Sequence, residues 1–333
     1  QIEAAEMASP HAEWIAAVAR DLKAHRGSSL IVAGECQSAS LHALAHVINH
    51  LLDATGKTVV YTDPVEARPV DQARSLLELV EDMKAGRVDA LIMLGGNPVF
   101  TAPADYEFAQ HLSKVKMSVH LSLYDDETSK LCAWQVPEAH YLEAWSDSRA
   151  FDGTITIMQP LIAPLYQGKS AHELLSTLSG KSGVTGHDTV RDFWKARTKA
   201  TDFDEFWQTS LHEGLVAGSA LPPKPATLRP DWVARLAAPG VPPSAPGLEI
   251  VFRPDPTIFD GRFANNGWLQ ELPKPLTKLT WDNAALISPS TAERLGLRSG
   301  DVVELEYRGR SLRAPVWILP GHAPDSVTAH LGY

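Results

Sequence analysis

Apolar positions along this chain follow two periods that alternate. Over residues 10–25 they recur at helical spacing, at Trp14, Ile15, Val18 and Leu22, which predicts a helix with Ser9 as N-cap and Pro10 in first position. Gly27 stops it. Residues 29–33 are then a short unbroken apolar run, the pattern of a buried parallel strand, and Gly34 marks the turn out of it. The same alternation predicts helix 40–52, strand 58–62, helix 70–84, strand 90–94, helix 104–112 and strand 116–121. On the second helix the predicted core stripe is Leu41, Leu44, Ile48 and Leu51. Repeated β-α-β units joined by short turns imply an α/β fold with a doubly wound, mostly parallel, Rossmann-like sheet. Ligands of such sheets sit beyond the carboxyl ends of the strands. Here those ends fall at 34–36, 62–64, 95–98 and 122–126.

The pattern then changes. Residues 188–213 are helical in period and rich in aromatics (Phe193, Trp194, Phe203, Phe206 and Trp207), which reads as a helical pair packed on the sheet rather than a ligand-stacking box. Residues 219–247 are crowded with proline, the composition of a stiff extended linker. Beyond it, strands are predicted at 248–253, 284–287, 302–307, 311–318 and 325–330, with one short helix at 290–295 and a hairpin turn at 308–310. Short strands with one short helix predict a small closed barrel. The domain organisation expected is therefore an α/β domain over 1–218, a linker over 219–247 and a β-barrel over 248–333.

Bulk properties narrow the function classes. A chain of 333 residues is too long for one ordinary core and fits two domains. No apolar run approaches the roughly 20 residues that span a bilayer, so direct membrane insertion is not expected. The formal net charge of -10 opposes a non-specific grip on nucleic acid or anionic lipid. Cys36 and Cys132 are the only cysteines. They cannot supply the thiolates of a cubane iron–sulfur cluster and are too few for a thiolate zinc site. The chain begins at Gln1 with no basic or apolar leader, and we read it as a processed or excised piece.

Several constellations are candidates for chemistry. His42, His46 and His50 recur every fourth residue on one predicted helix, a spacing that can bind zinc. No glutamate intervenes in the metalloprotease manner, and a hydrated helix face is the expected reading. The run Gly34-Glu35-Cys36-Gln37 lacks the later glycines of a dinucleotide fingerprint. The Gly95-Gly96-Asn97-Pro98 turn is better placed, because glycines after a strand let backbone N–H groups approach an anion; a plain tight turn is the alternative. Asp125, Asp126 and Glu127 offer paired carboxylates for acid–base work, or acidic residues opposing a helix dipole, and the second is expected. Ser146, His140 and Asp147 lie close in sequence without a nucleophile elbow, which argues against a hydrolase.

Three segments together resemble the molybdopterin oxidoreductase family. They are the strand and GGNP turn at 91–98; the stretch from Asp126-Glu127-Thr128 through 135–143 to Phe151-Asp152-Gly153; and 287–303, which is similar to the entry into that family's pterin-dinucleotide-binding barrel. The wording at 141–147, 159–166, 266–273 and 278–283 is most similar to the large iron–sulfur subunit of bacterial alternative complex III, a membrane-attached quinol:electron-acceptor oxidoreductase.

The resemblance implies a double-psi type for the barrel. It also implies a subunit that has kept the molybdoenzyme fold and lost pterin and metal, with no cofactor or metal in this fragment and no catalytic residue. Iron–sulfur clusters would lie in a region outside it. The expected role is a non-catalytic scaffold within a respiratory complex, with other subunits as partners, at the periplasmic face of the bacterial cytoplasmic membrane. The alternative implied is part of a true molybdopterin oxidoreductase catalytic subunit. Gly95, Gly96, Asn97 and Asp126, with Asn265, Asn266 and Trp268 of the barrel loops, would then contact the pterin dinucleotide. Filled space at the former cofactor cleft would favour the first reading, and an open groove the second.

Overall fold

The computed structural model describes residues 11–232 and 247–333. The predicted cap Ser9 with Pro10, and residues 233–246 of the proline-rich segment, lie outside the described residues. In chain order the helices are α1 (Ala12–Ala24), α2 (Ala39–Leu51), α3 (Gln72–Lys84), α4 (Pro98–Thr101), α5 (Phe108–Leu112), α6 (Ala171–Leu178), α7 (Gly186–Arg197), α8 (Phe203–Glu213), α9 (Gly267–Glu271) and α10 (Pro289–Leu295). The strands are β1 (Ala90–Leu94), β2 (Met117–Ser122), β3 (Trp134–Pro137), β4 (Ser146–Arg149), β5 (Ile155–Met158), β6 (Glu249–Arg253), β7 (Ala285–Ile287), β8 (Val302–Tyr307), β9 (Arg310–Ile318) and β10 (Ser326–His330). They fall into two compact units that are not continuous in sequence. One comprises Gln1–Val70, Tyr141–Ile162 and Lys181–Pro243, the other Asp71–His140, Ala163–Gly180 and Ser244–Tyr333.

The second unit carries the parallel sheet. β1 pairs with β2 and β2 with β3, all parallel, in the order β1-β2-β3. The central strand β2 is covered by neighbours on both edges and buries Leu121 completely. α3 and α5 pack on this sheet through Val80, Met83, Phe108 and Leu112, joined by Val115 of the connection to β2, because the apolar residues of each helix recur at helical spacing and form one face. The predicted helix 104–112 is two pieces. Glu107 adopts a left-handed backbone (φ 48) and separates the tight turn Ala104–Tyr106 from α5.

The same unit holds a mixed five-stranded sheet in the order β6-β10-β7-β9-β8. It curls around Ala285, Ile287, Ala292, Val316 and Val327. The predicted closed barrel is instead a half-barrel among the described residues, with β6 and β8 as its open edges. The hairpin turn between β8 and β9 reaches the α/β half, where Arg308 and Arg310 pair with Asp105 and Arg310 donates to the Ala104 carbonyl at 2.9 Å.

The first unit departs further from the pattern. The predicted strands 29–33 and 58–62 form no ladder; a single parallel bridge joins Thr55 to Val59. For 29–33 the reason lies in the side chains that occupy its backbone groups. Asn49, buried in α2, accepts from the Ile31 N–H at 2.8 Å and donates to its carbonyl at 2.7 Å, while the Thr58 hydroxyl donates to the Ser29 carbonyl. Leu30, Val32 and Val60 stay exposed. On α2 the buried residues are Ala45, Val47 and Asn49, whereas Leu41, Leu44 and Leu51 of the predicted core stripe are exposed. The aromatic helices α7 and α8 pack on the antiparallel β4–β5 hairpin, not on the parallel sheet. Ile155, Ile157, Val190, Trp194, Trp207 and Val216 form that core.

Candidate functional site

A cavity of about 720 Å³ opens within the second unit, beyond the carboxyl ends of the parallel strands. One wall comes from the α/β half: Gly95, Gly96, Asn97, Phe100 and Thr101 after β1, residues 122–127 after β2, and Glu138 after β3. The other comes from the β half: Asp260, Gly261, Arg262, Ala264, Asn265, Gly332 and Tyr333. The walls meet where no side chain could intervene. A Cβ on Gly261 would lie 2.6 Å from the Phe100 ring; within the β-side wall, one on Gly332 would lie 2.8 Å from the Gly261 nitrogen.

The turn after β1 needs its glycines, since Gly95 and Gly96 both have left-handed backbones (φ 68 and 72). The Gly95 N–H is spent on the Leu121 carbonyl at 2.8 Å. His120, wholly buried on β2, fixes the next residue, because its Nε2 lies 2.9 Å from the Gly96 carbonyl, which can only accept. Its Nδ1 meets the Ser129 hydroxyl at 2.8 Å. Asn97 ties this turn to the loop after β2, donating to Glu127 at 2.7 Å and accepting from the Thr128 hydroxyl at 2.7 Å. Thr128 in turn accepts from the Val99 N–H. Asp126 accepts from the Ser129 N–H at 2.8 Å and from the Ser122 hydroxyl at 3.2 Å. It therefore caps the turn Ser129–Leu131, and Asp126 and Glu127 serve as loop anchors.

Two charged groups on the walls carry no such structural duty in sequence. Glu138 is placed by its backbone, whose N–H donates to the Ser122 carbonyl at 3.0 Å and which bridges in parallel to Lys169. Burial pushes its carboxyl up, against the pull of nearby His120. Arg262 grips Asp260 with two hydrogen bonds, at 3.0 and 2.8 Å. That grip holds the Asp260 carboxyl below the usual range and lifts the guanidinium further. The Glu127 carboxyl is likewise lowered, first by the Asn97 amide. The lining carries carboxylates at Asp125, Asp126, Glu127, Glu138 and Asp260 against one cation, Arg262.

Of the residues singled out in the sequence, Gly95, Gly96, Asn97, Asp126 and Asn265 meet at this cavity. Asn266 and Trp268 do not line it. Asn266 caps α9 by accepting from the Leu269 N–H, and Trp268 points to solvent, 88% exposed. Sequence reasoning missed Glu138, His120, the Asp260–Arg262 pair and Tyr333 as wall or support. A histidine inside an apolar central strand was the available signal for His120. Elsewhere, His46 bonds the Tyr61 hydroxyl at 2.9 Å, and no group of three His, Cys, Asp or Glu among the described residues could hold a metal ion. Asp147 is taken by the Trp194 indole at 3.0 Å. Cys36 and Cys132 are free thiols. No helix among the described residues is long and apolar enough to cross a membrane.

No family model matches the sequence. The chain is 26% identical over 266 residues to a menaquinone reductase, molybdopterin-binding-like subunit, of Nitratidesulfovibrio vulgaris, covering 75% of this chain and 36% of that protein. It is 20% identical over 302 residues to the thiosulfate reductase molybdopterin-containing subunit PhsA of Salmonella typhimurium, covering 78% and 40%. Among solved structures, acetylene hydratase from Pelobacter acetylenicus shares the fold with a TM-score of 0.56 at 15% identity, covering 77% of this chain and 39% of that one. The chain thus spans less than half the length of these relatives. The two reductase subunits support a molybdopterin oxidoreductase family for it.

Proposed function

We propose that this chain is part of a large subunit in a multi-subunit electron-transfer complex, where it serves as a scaffold and not as the seat of chemistry. The observation that carries this is the charge on the cavity walls. A pterin dinucleotide presents N–H edges on its rings and negative charge on its diphosphate. The rings would find acceptors at Glu138 and Asp125, but the diphosphate would face the remaining carboxylates, Asp126, Glu127 and Asp260. The single guanidinium is already engaged by Asp260. Two like charges 4 Å apart repel by about 4 kcal/mol at an effective dielectric constant of 20. The residues present therefore do not fit the intact cofactor.

The finer reading is a subunit like the large iron–sulfur subunit of alternative complex III, held at the periplasmic face of the cytoplasmic membrane by its partner subunits. The motifs at 141–147, 159–166, 266–273 and 278–283 support it, as does the menaquinone reductase name of one relative. Its iron–sulfur clusters would lie in a region outside this chain, since two cysteines cannot supply the four thiolates of a cubane cluster. We keep the double-psi description of the half-barrel as part of this proposal.

A second reading, a pterin-loaded catalytic subunit, is favoured by the openness of the cavity and by the convergence of Gly95, Gly96, Asn97, Asp126 and Asn265 on it. Calorimetric titration of the chain with guanosine diphosphate, which carries a purine edge and a diphosphate, separates the two. The scaffold reading predicts no saturable binding below about 1 mM, and a dissociation constant near about 1 μM would overturn it.

A further inference from the structure

A buried ion pair stands directly behind the β-side wall of the cavity, and the wall hangs from it. Asp255 and Lys274 are 3% and 4% exposed, with the Lys274 ammonium 3.5 Å from Asp255 Oδ2. The other carboxylate oxygen accepts from the Thr257 N–H at 2.8 Å, the Thr257 hydroxyl at 2.6 Å and the Ile258 N–H at 3.1 Å. These bonds fold the turn that Asp255 and Phe259 close with two backbone hydrogen bonds, and this turn delivers Asp260, Gly261 and Arg262 to the cavity. On its far side Lys274 donates to the Tyr333 hydroxyl at 2.9 Å, with its ammonium 5.0 Å from the Tyr333 ring centroid. The Tyr333 hydroxyl donates to Gln270 at 3.3 Å, and the Gln270 amide donates to the Ala264 carbonyl at 3.0 Å. One polar chain thus runs from Asp255 to Ala264, and both of its ends and its middle member belong to the wall or to the turn that forms it.

We infer that the Asp255–Lys274 pair, acting through Tyr333 and Gln270, is the positioning device that holds the β-side wall and thereby keeps the cavity open to its full volume. Two buried charges would be a poor choice for stability alone, because desolvation offsets their attraction. Their worth here is geometric: an ammonium with three donors ties segments that are distant in sequence at one point. Oδ2 of Asp255 has no hydrogen-bond partner of its own, so the carboxylate relies on Lys274 for compensation. Besides Tyr333, the titratable group facing both members of the pair is His330, which in turn faces Arg253. Burial works to raise the Asp255 carboxyl, yet the Thr257 and Ile258 bonds together with Lys274 outweigh it and hold it low, so the carboxylate stays charged at neutral pH.

The test is amide hydrogen exchange on the full chain, comparing residues 258–266 with β2 as internal reference. Lys274→Met is expected to speed exchange across 258–266 by about tenfold or more while β2 is unchanged. Tyr333→Phe, which removes one oxygen from a partly exposed side chain, is expected to act on the same residues. The double variant is expected to go no further than Lys274→Met alone, as members of one chain are not additive. The near-UV circular dichroism of Tyr333, obtained as wild type minus Tyr333→Phe, should vanish in the Lys274→Met background. If Lys274→Met does not fold, Tyr333→Phe alone decides. Unchanged exchange in Tyr333→Phe would overturn the inference. So would wild-type exchange in Asp255→Asn/Lys274→Met, since the pair would then only be compensating charge.

Discussion

Helices α1 and α3 are both thirteen residues long and both amphipathic, yet they end in opposite circumstances. α3 seals Val80 and Met83 against the parallel sheet. α1 buries no residue, and its apolar stripe of Trp14, Ile15 and Val18 lies open. The difference is not in the helices. Behind α3 stand three paired strands; in the unit of α1 the segments expected as strands are held by the Asn49 amide and the Thr58 hydroxyl instead of by neighbours. An apolar stripe therefore specifies that a helix forms and which face it offers, while the covering of that face depends on a sheet built from other segments.

The contrast can be broken by mutation. The largest effect is expected at Met83, 1% exposed: Met83→Ala should cost about 3 kcal/mol in urea unfolding, the sum of lost transfer energy and a cavity. Next is Asn49→Ala, which strands the Ile31 N–H and carbonyl and should cost about 2 kcal/mol, with loss of exchange protection at Ile31. Asn97→Ala removes bonds to Glu127 and Thr128 and should cost about 1 kcal/mol. It should also alter the acid limb. The Glu127 carboxyl is lowered in the fold, so its contribution is present above its unfolded pKa and is lost as pH falls through the folded one. Without Asn97 that portion of the acid-dependent loss should shrink in a melt-versus-pH series. Trp14→Ser should change stability by less than about 0.5 kcal/mol, because the indole is already in water. A cost at Trp14 as large as that at Met83 would erase the contrast.

Much of the second unit was legible in the sequence. Strand 90–94 is found to the residue, because a five-residue apolar run between a helix stop and a double glycine permits little else. The strands at 302–307 and 325–330 and the short helix near 290–295 also stand where alternation and Ser-Pro capping put them, within a residue. The β4–β5 hairpin was invisible: Ser146–Arg149 is a polar four-residue strand with no alternation to read. In the site, the Gly95–Asn97 turn and Asp126 announced themselves by type and position. Arg262, Asp260 and Tyr333 did not, since their meaning arises only when the half-barrel brings residues more than a hundred positions away to the ends of the parallel strands. Glu138 lay inside a motif that was read for family likeness, and its half-buried place beside His120 on the cavity wall could only be seen in three dimensions.

The central claim is that the cavity is kept as architecture and not as a cofactor site. It is tested most directly on the full-length protein purified in its natural complex, by elemental analysis for molybdenum and tungsten together with fluorescence of oxidised pterin on the same sample. The account predicts iron without molybdenum, tungsten or pterin. Near-stoichiometric metal and pterin would contradict it, and would make the Gly95–Asn97 turn and the Asp260–Asn265 wall part of a working cofactor site.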